Sequence, residues 1–295
     1  MERAIWVWQF NQLGEQTIEQ MAETLLPRGI TRVYAKAMDG TFWMSQVYSH
    51  PMVPSNVVRL GQLSQQFQQA GLQLIPWVVN RHSAAEAPLH IACAQACGGV
   101  VVDFEYHYDG FWEGPDGQAQ AYFDQLRAAV GPNLWVAVAP DARQVGRDYG
   151  ADLIGGLSAY LPQNYWTDFK RPWDVVMQQG CSRCQPIGSV EPILPADATH
   201  DDVRACVAWC EQQGFGSVSL WRMGPANAAD LDAFGTTAPV EPAPGEPPAE
   251  EGIPQVYLDR GWSTWPVVAD NLEGIIHQLM AERDDALARL AQAAH

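Results

Sequence analysis

Residues 99–106 read Gly-Val-Val-Val-Asp-Phe-Glu-Tyr, an apolar run that ends in two acids spaced two residues apart. Such a continuous apolar run is typical of a strand buried on both faces of a parallel sheet. Side chains at i and i+2 of a strand point to the same face, so Asp103 and Glu105 should project together from the strand end. Partial burial and mutual repulsion separate the pKa values of such a pair, which leaves one proton donor and one charged partner.

Apolar segments with strand character alternate along the chain with amphipathic segments of helical period. The predicted strands are Ala4–Phe10, Ile30–Ala37, Leu72–Val79, Gly99–Glu105, Leu134–Ala139, Leu153–Leu161, Gln185–Leu194 and Gly216–Trp221. The predicted helices include Thr17–Leu26, Ser55–Ala70, Ala84–Ala96, Gly117–Val130 and His200–Gln213. This alternation predicts an α/β fold, a (β/α)8 or TIM barrel. The alternative, a doubly wound open sheet, normally carries a Gly-rich phosphate loop after its first strand, and Trp8–Asn11 contain none.

The composition divides the chain into three parts. Residues 1–235 are the predicted barrel, residues 236–252 form a Pro- and Glu-rich linker, and residues 253–295 form a C-terminal segment. Val268–Ala294 has the apolar spacing of one long helix, which is marginal in water without a partner. We therefore expect residues 267–294 to form a homo-oligomer or to join a larger assembly such as a virion or phage tail, or else to dock on the barrel.

Charge and hydropathy limit the partners of the protein. Its 295 residues carry a formal net charge of -17, which excludes nucleic acid as a favourable partner. No apolar run reaches the roughly 18 residues of a membrane span, and the first residues do not form a signal peptide. We therefore expect synthesis in the cytoplasm, with any role outside the cell depending on a virion or on lysis.

The six cysteines fall into three local pairs, Cys93/Cys97, Cys181/Cys184 and Cys206/Cys210. The first and third pairs have helical spacing, whereas the second is predicted to lie in a turn. Zinc held by the second and third pairs is one interpretation, and buried free thiols or one or two disulfides are the other. A helical C-x-x-x-C is a poor zinc knuckle, so the second interpretation is favoured and no cofactor is predicted.

The active site of such a barrel lies where its strands end. With Asp103 and Glu105 as catalytic candidates, this rule selects the substrate-binding candidates Trp8, Gln9, Lys36, Asp39, Trp77, Tyr106, Gln163, Tyr165, Trp221 and Arg222. Aromatic faces stack on sugar C–H surfaces, and amides and carboxylates bond hydroxyl groups, so a polysaccharide is the predicted partner. The histidines lack paired ligand spacing, and no G-x-S-x-G motif is present. An isomerase or aldolase barrel is a weaker alternative, with Lys36 as its Schiff-base candidate.

Three stretches carry a resemblance to known glycoside hydrolases. Val33–Gly40 resembles the second strand of family 25, the lysozymes of some bacteria and phages, which carry a Lys-Ala-x-acidic-Gly pattern there. Val102–Glu105 resembles their fourth-strand D-x-E, and chitinases of family 18 show a similar acidic pair at that strand. Ser219–Arg222 is similar to their closing Leu-Trp-aromatic strand. The Asp that family 25 places after strand one is absent from Trp8–Phe10.

The resemblance implies a glycosidase that acts on a polysaccharide containing N-acetylhexosamine, of the peptidoglycan or chitin type. In that mechanism Glu105 protonates the leaving oxygen, while Asp103 holds the acetamido group whose carbonyl attacks the anomeric carbon. Tyr165 or Gln163 would orient this group, and Trp221 would support the sugar ring. The absent first-strand Asp favours the alternative, a non-catalytic carbohydrate-binding or structural barrel of a multimeric assembly such as a phage tail.

Overall fold

The computed structural model describes residues 1–81, 83–106, 112–131 and 133–235. The chain divides into two units, Met1–Ala238 and Pro239–His295. The predicted linker 236–252 and C-terminal segment 253–295, with its association helix 267–294, lie outside the described residues. Within the described ranges, no helix has the length and apolar character needed to cross a bilayer.

Eight parallel strands of the described residues form the predicted TIM-barrel-like sheet. They are β1 (Glu2–Val7), β2 (Ile30–Asp39), β3 (Gln73–Val79), β4 (Gly99–Phe104), β5 (Trp135–Pro140), β6 (Ala159–Tyr160), β7 (Ile193–Pro195) and β8 (Ser217–Trp221). Their ladders run in the order β6-β5-β4-β3-β2-β1-β8-β7, and the short strand Phe42–Trp43 pairs antiparallel with β2. Single parallel bridges join Tyr160 to Val190 and Gln163 to Ile193, so the two ends of this order meet and the sheet curls round.

Helices cover the outside of this sheet. They are α1 (Ile18–Leu25), α2 (Val57–Gln69), α3 (Ala87–Cys97), α4 (Asp116–Ala129), α5 (Ala151–Ile154), α6 (Trp166–Phe169), α7 (Trp173–Cys184), α8 (His200–Gln212) and α9 (Ala228–Gly235). Polar side chains fix where several of them begin. The side chains of Thr17, Asn56 and Thr199 each accept a backbone N–H in the first turn of the following helix, which satisfies a donor that has no partner within the helix.

Alternate side chains of each strand enter two separate cores. In β4, Val102 and Phe104 pack in the core between sheet and helices, whereas Val101 packs inside the barrel. The alternation therefore directs Asp103 and Glu105 into the barrel, on the side of Val101. The predicted strand thus places both acids on the face that the i, i+2 spacing indicates.

A partly buried ionic cluster lies at the amino-terminal end of the barrel. Arg32 contacts Glu2 at 2.6 Å and Glu191 at 3.4 Å, and its guanidinium lies 5.3 Å from the ring centre of Trp135. The Tyr34 hydroxyl and Glu191 are 3.4 Å apart. Because these side chains and the rings above them fill the interior, the open space of the barrel lies at its carboxyl end.

Two predicted strands are much shorter than their apolar runs. Of residues 153–161, only Ala159–Tyr160 are a strand, because Ala151–Ile154 form a helical turn and Gly156 then adopts a φ of 81°. Of residues 185–194, only the end joins the strand Ile193–Pro195, because residues 185–187 continue α7 as a 3-10 turn. Hydrophobicity alone does not separate a short buried helix from a short buried strand.

The segment that holds Cys181 and Cys184 is a helix rather than the predicted turn. Trp173, Val176, Met177, Gly180, Cys181 and Cys184 follow the three- and four-residue spacing of one helical face. The last five of these are buried in α7. The two cysteines therefore belong to its packed face, at its carboxyl end.

Candidate active site

The carboxyl ends of the strands surround a cavity of about 210 Å³. Nine of the twelve predicted site residues line it: Trp8, Lys36, Trp77, Asp103, Glu105, Gln163, Tyr165, Trp221 and Arg222. Trp6, Ala139 and Ile193 complete the lining. The volume equals that of about seven water molecules in the liquid, which suits one monosaccharide unit. The structure brings these nine residues together, and their roles in binding or catalysis stay predictions.

Asp103 is a buried carboxyl held by two donors. The indole Nε1 of Trp77 donates to its Oδ2 at 3.2 Å, and the amide Nε2 of Gln163 donates to its Oδ1 at 2.9 Å. Burial raises the pKa of Asp103 well above its ordinary value, and the charge of Glu105 raises it further. Trp77 and Gln163 oppose this rise and fix the orientation of the carboxyl, because both donate to it.

Glu105 is partly buried one residue beyond β4. Burial is the main cause that raises its pKa to about 7, and the nearby charge of Asp141 adds to the rise. Arg143 limits this effect: its Nη2 lies 2.6 Å from Oδ2 of Asp141, and its Nε lies 3.0 Å from Oδ1. A carboxyl with a pKa near 7 holds a proton in a large fraction of molecules at neutral pH, as a general acid requires.

Three indole rings form one cluster in the wall of the cavity. The ring centres of Trp6, Trp77 and Trp221 lie 5.2–5.9 Å apart in edge contacts. Trp6 also donates from Nε1 to Oγ of Ser219 at 2.9 Å, which fixes its plane. The sequence prediction missed Trp6, although it lies in β1 two residues before Trp8, which follows the strand end and lines the same cavity.

Two cations line the cavity in the described part of the chain. Nζ of Lys36 lies 2.9 Å from Oδ2 of Asp39, and it lies 5.1 Å from the ring centre of Trp77. The guanidinium of Arg222 lies 4.5 Å from the ring centre of Trp8 and 5.5 Å from that of Trp221. Trp221 and Arg222 are joined by a cis peptide bond. Lys36 thus has a carboxylate partner, while Arg222 rests on aromatic faces.

Three predicted binding residues do not line the cavity. Gln9 lies beyond it because β1 ends at Val7, not at Phe10, and its side chain bonds that of Gln12 in the turn that follows. Asp39 stands behind Lys36, where it bonds both Lys36 and Arg81. Although burial opposes it, these two bonds lower the pKa of Asp39 and keep it ionised.

Tyr106 is the third of these residues. Its backbone N–H and C=O both bond the side chain of Gln144 at 2.8 Å, and its hydroxyl donates to Asp116. Its ring packs against Phe104 and Tyr149 in the outer core. The alternation of β4 accounts for this position, since Tyr106 is one residue beyond Glu105 and faces away from the barrel interior.

The geometry does not support a zinc site held by the four thiolates of Cys181, Cys184, Cys206 and Cys210. In the described ranges, no three His, Cys, Asp or Glu side chains are grouped as metal ligands would be. All four cysteines are buried free thiols, and Cys206 and Cys210 lie on the packed face of α8. Burial raises the pKa of Cys181 and Cys206 far above the ordinary thiol value, and that of Cys184 to about 12. Burial of this kind favours the neutral thiol, and the four side chains lie on the packed faces of α7 and α8.

Comparison with solved structures identifies proteins of the same fold. A chitinase from Rhizomucor miehei superposes with a TM-score of 0.53 at 10% identity, over 79% of this chain and 99% of that chain. A chitinase from Bacteroides thetaiotaomicron gives 0.52 at 12% identity, over 79% and 95%. A family 18 chitinase from Cycas revoluta, solved with (GlcNAc)3, gives 0.52 at 10% identity, over 80% and 100%.

These proteins resemble the chain in structure and not in amino-acid sequence. No protein-family profile matches the chain, and no curated protein matches it. At identities near 10% the likeness shows the fold, which is the barrel of family 18 chitinases. The predicted resemblance to that family is therefore confirmed at the level of the fold, whereas a specific relation to family 25 is not shown.

Proposed function

We propose that this protein is a glycoside hydrolase that cleaves beside an N-acetylhexosamine unit. The observation that carries the proposal is the placement of two inward-facing carboxyls, Asp103 and Glu105, in one aromatic cavity of a chitinase-like barrel. Both have raised pKa values, so the pair keeps a proton near neutral pH. A proton donor and a fixed partner acid are the groups that glycosidic cleavage requires.

In the proposed mechanism, Glu105 transfers its proton to the glycosidic oxygen as the bond to the anomeric carbon breaks. The carbonyl oxygen of the 2-acetamido group attacks that carbon from the other side, in the substrate-assisted route. Asp103 accepts the N–H of this acetamido group and stabilises the positive charge that develops on it. Glu105, now ionised, takes a proton from the water that opens the cyclic intermediate, which restores its acid form.

Three lining residues support these steps. Gln163 bonds both Asp103 and the carbonyl of Ala139, so it holds the acid in one orientation. A carboxylate oxygen can accept two bonds, which leaves Asp103 free to accept one from the substrate. Burial and the nearby acids raise the pKa of Tyr165 well above 10, so its hydroxyl stays protonated and can donate to the acetamido carbonyl. Trp221 supports the sugar ring from below.

The test measures release of reducing ends from chitin oligosaccharides and from cell-wall glycan by the full-length wild type and by Glu105→Gln. Because a general acid contributes roughly 100- to 10,000-fold, we expect Glu105→Gln to lose about that factor while it still binds the glycans. Glu23→Gln is the matched control, because Glu23 is exposed on α1. Equal activity of wild type and Glu105→Gln would reject the assignment.

A non-catalytic carbohydrate-binding barrel gives a different result in the same assay. In that case wild type and Glu105→Gln bind the glycans equally and neither releases reducing ends. The second acid favours catalysis over this alternative, because Trp77 and Gln163 orient Asp103 in the same cavity as Glu105, and glycosidic cleavage uses a pair of carboxyls.

A further inference from the structure

Arg222 is a cation of the cavity that has no anionic partner among the described residues. Its side chain makes no hydrogen bond or ion pair there, and its Nε is buried without a partner. Its contacts are with the faces of Trp8 and Trp221. Such contacts attract the guanidinium to the ring faces but give its N–H groups no hydrogen-bond acceptor.

The lack of a partner is informative because this chain is rich in acids. It has 34 acidic and 17 basic residues. Among the described arginines, Arg59 and Arg183 donate to backbone carbonyls, and Arg171 is exposed. Eight others each contact a carboxylate, those at positions 3, 28, 32, 81, 127, 143, 147 and 204. Lys36, the other cation of the cavity, contacts Asp39. Shielding the Nε–H of Arg222 from water without a hydrogen-bond acceptor is unfavourable, so a ligand that supplies an acceptor to the guanidinium gains that interaction.

We propose that Arg222 binds a carboxylate carried by the sugar substrate. This inference rests on the proposed function, and it narrows the substrate from neutral polymers such as chitin to N-acetylhexosamine glycans whose units bear carboxylates. Arginine suits this task because its planar fork can give two parallel hydrogen bonds to one carboxylate. Two sources supply that chemistry, the lactyl ether of a muramic sugar and the carboxyl of a uronic acid.

The rest of the cavity admits such a ligand. A substrate carboxylate would be repelled by Asp103 and Glu105 if both were ionised, but the raised pKa values keep the pair partly protonated near neutral pH. Asp39 is neutralised by Lys36 and Arg81. Among the described residues, Arg222 is therefore the cation of this cavity whose charge no carboxylate of the protein balances.

The experiment compares four oligosaccharide probes in binding calorimetry with Glu105→Gln as the parent, so that the probes stay intact. The first is the neutral N-acetylglucosamine tetramer, and the second alternates N-acetylglucosamine with N-acetylmuramic acid. The third probe has the same sugars as the second, but its lactyl carboxyl is reduced to the alcohol. The fourth probe alternates N-acetylglucosamine with glucuronic acid. Arg222→Gln and Arg222→Lys are added to the parent, and Arg204→Gln on the outer face of α8 is the matched control.

We expect the ratio of acidic to neutral affinity to fall roughly 10- to 100-fold in Arg222→Gln, as loss of a charge-assisted bond predicts. Arg222→Lys should recover part of it, and Arg204→Gln should leave it unchanged. The ratio is insensitive to a general loss of packing, because such a loss weakens all probes alike. Preference for the second or the fourth probe identifies the source of the carboxylate.

The outcomes separate the two proposals. If the parent binds the uncharged first and third probes as tightly as the acidic second and fourth probes, the role of Arg222 is wrong while the glycosidase proposal stands. An equal loss of affinity for all probes in Arg222→Gln would overturn the role of Arg222 in the same way. If the parent binds none of the four and the wild type cleaves none, the glycosidase proposal fails, and the inference on Arg222 fails with it.

Discussion

Replacing Glu105 by Gln should change how the stability of the protein depends on pH. The pKa of Glu105 is about 7 in the fold, against 4.5 for the free side chain, mainly because the carboxyl is partly buried. Each pKa unit corresponds to about 1.4 kcal/mol, so ionising Glu105 in the folded protein costs about 3 kcal/mol. Because the folded-state pKa is raised, this contribution to stability is complete below pH 4.5 and is lost as the pH rises through about 7.

The wild type should therefore lose about 3 kcal/mol more of its free energy of unfolding than Glu105→Gln between about pH 4.5 and pH 8. Gln lacks the titrating proton, and it also removes a charge that raises the pKa of Asp103, which flattens the dependence further. Urea unfolding of the full-length proteins, followed by far-ultraviolet circular dichroism at several pH values, measures the difference. Glu23→Gln should follow the wild type.

Two results would refute this reasoning. Parallel pH dependence in the wild type and Glu105→Gln would mean that Glu105 titrates in the fold as it does in the unfolded chain. A wild type that becomes more stable relative to the variant as the pH rises would mean that the fold favours the charged form. Either result would also remove the electrostatic basis for Glu105 as a general acid.

Three further predictions concern the surroundings of the site. Gln163→Leu should move the basic limb of the pH–activity profile to higher pH, because Gln163 lowers the pKa of Glu105, and an unmoved limb would contradict this. The same change should lower the free energy of unfolding by roughly 1–3 kcal/mol, because it leaves two buried acceptors unpaired. Phe104→Ala should lower the free energy of unfolding, measured in urea, by about 3–5 kcal/mol, because the ring is fully buried with its centre 4.9 Å from that of Phe123. A loss below about 1 kcal/mol would show that the outer core repacks around the missing ring. In Ellman's assay at about pH 8, Cys97 should react first, because the other five thiols are buried; rapid labelling of several thiols before unfolding would oppose the described packing.

The sequence predicted the barrel and its acidic pair because both depend on local, regular patterns. The strand at residues 99–104 has one apolar residue after another, and the positions of Asp103 and Glu105 follow from a period of two. Such a pattern fixes which side chains face the barrel interior, because a register slip of one residue would bury the wrong face of the strand.

The errors fall where the chain leaves a regular element. The predicted first strand runs to Phe10 and therefore places Gln9 in the site, but β1 ends at Val7 and a 3-10 turn at Phe10–Gln12 redirects the chain. The apolar run at 153–161 predicts one strand, whereas Gly155–Gly156 separate a helical turn from a two-residue strand. Local sequence fixes the period of an element better than its ends, which tertiary contacts decide.

The sequence also did not predict which charged residues pair with each other. Asp39 and Arg81 are 42 positions apart, and Arg32 and Glu191 are 159 positions apart. Only the closed sheet brings these groups together. The same closure leaves Arg222 without an acid among the described residues, a fact that composition alone did not indicate.

The three clustered indoles give the protein an internal optical reporter. Trp6, Trp77 and Trp221 have ring centres no more than 5.9 Å apart, so excitation absorbed by one ring passes readily among them. A sugar bound in the cavity would change the surroundings of two of these rings, because Trp221 is partly exposed and Nζ of Lys36 lies 5.1 Å from the ring centre of Trp77. Occupancy of the cavity can therefore be followed through the intensity and colour of tryptophan emission, without any attached label.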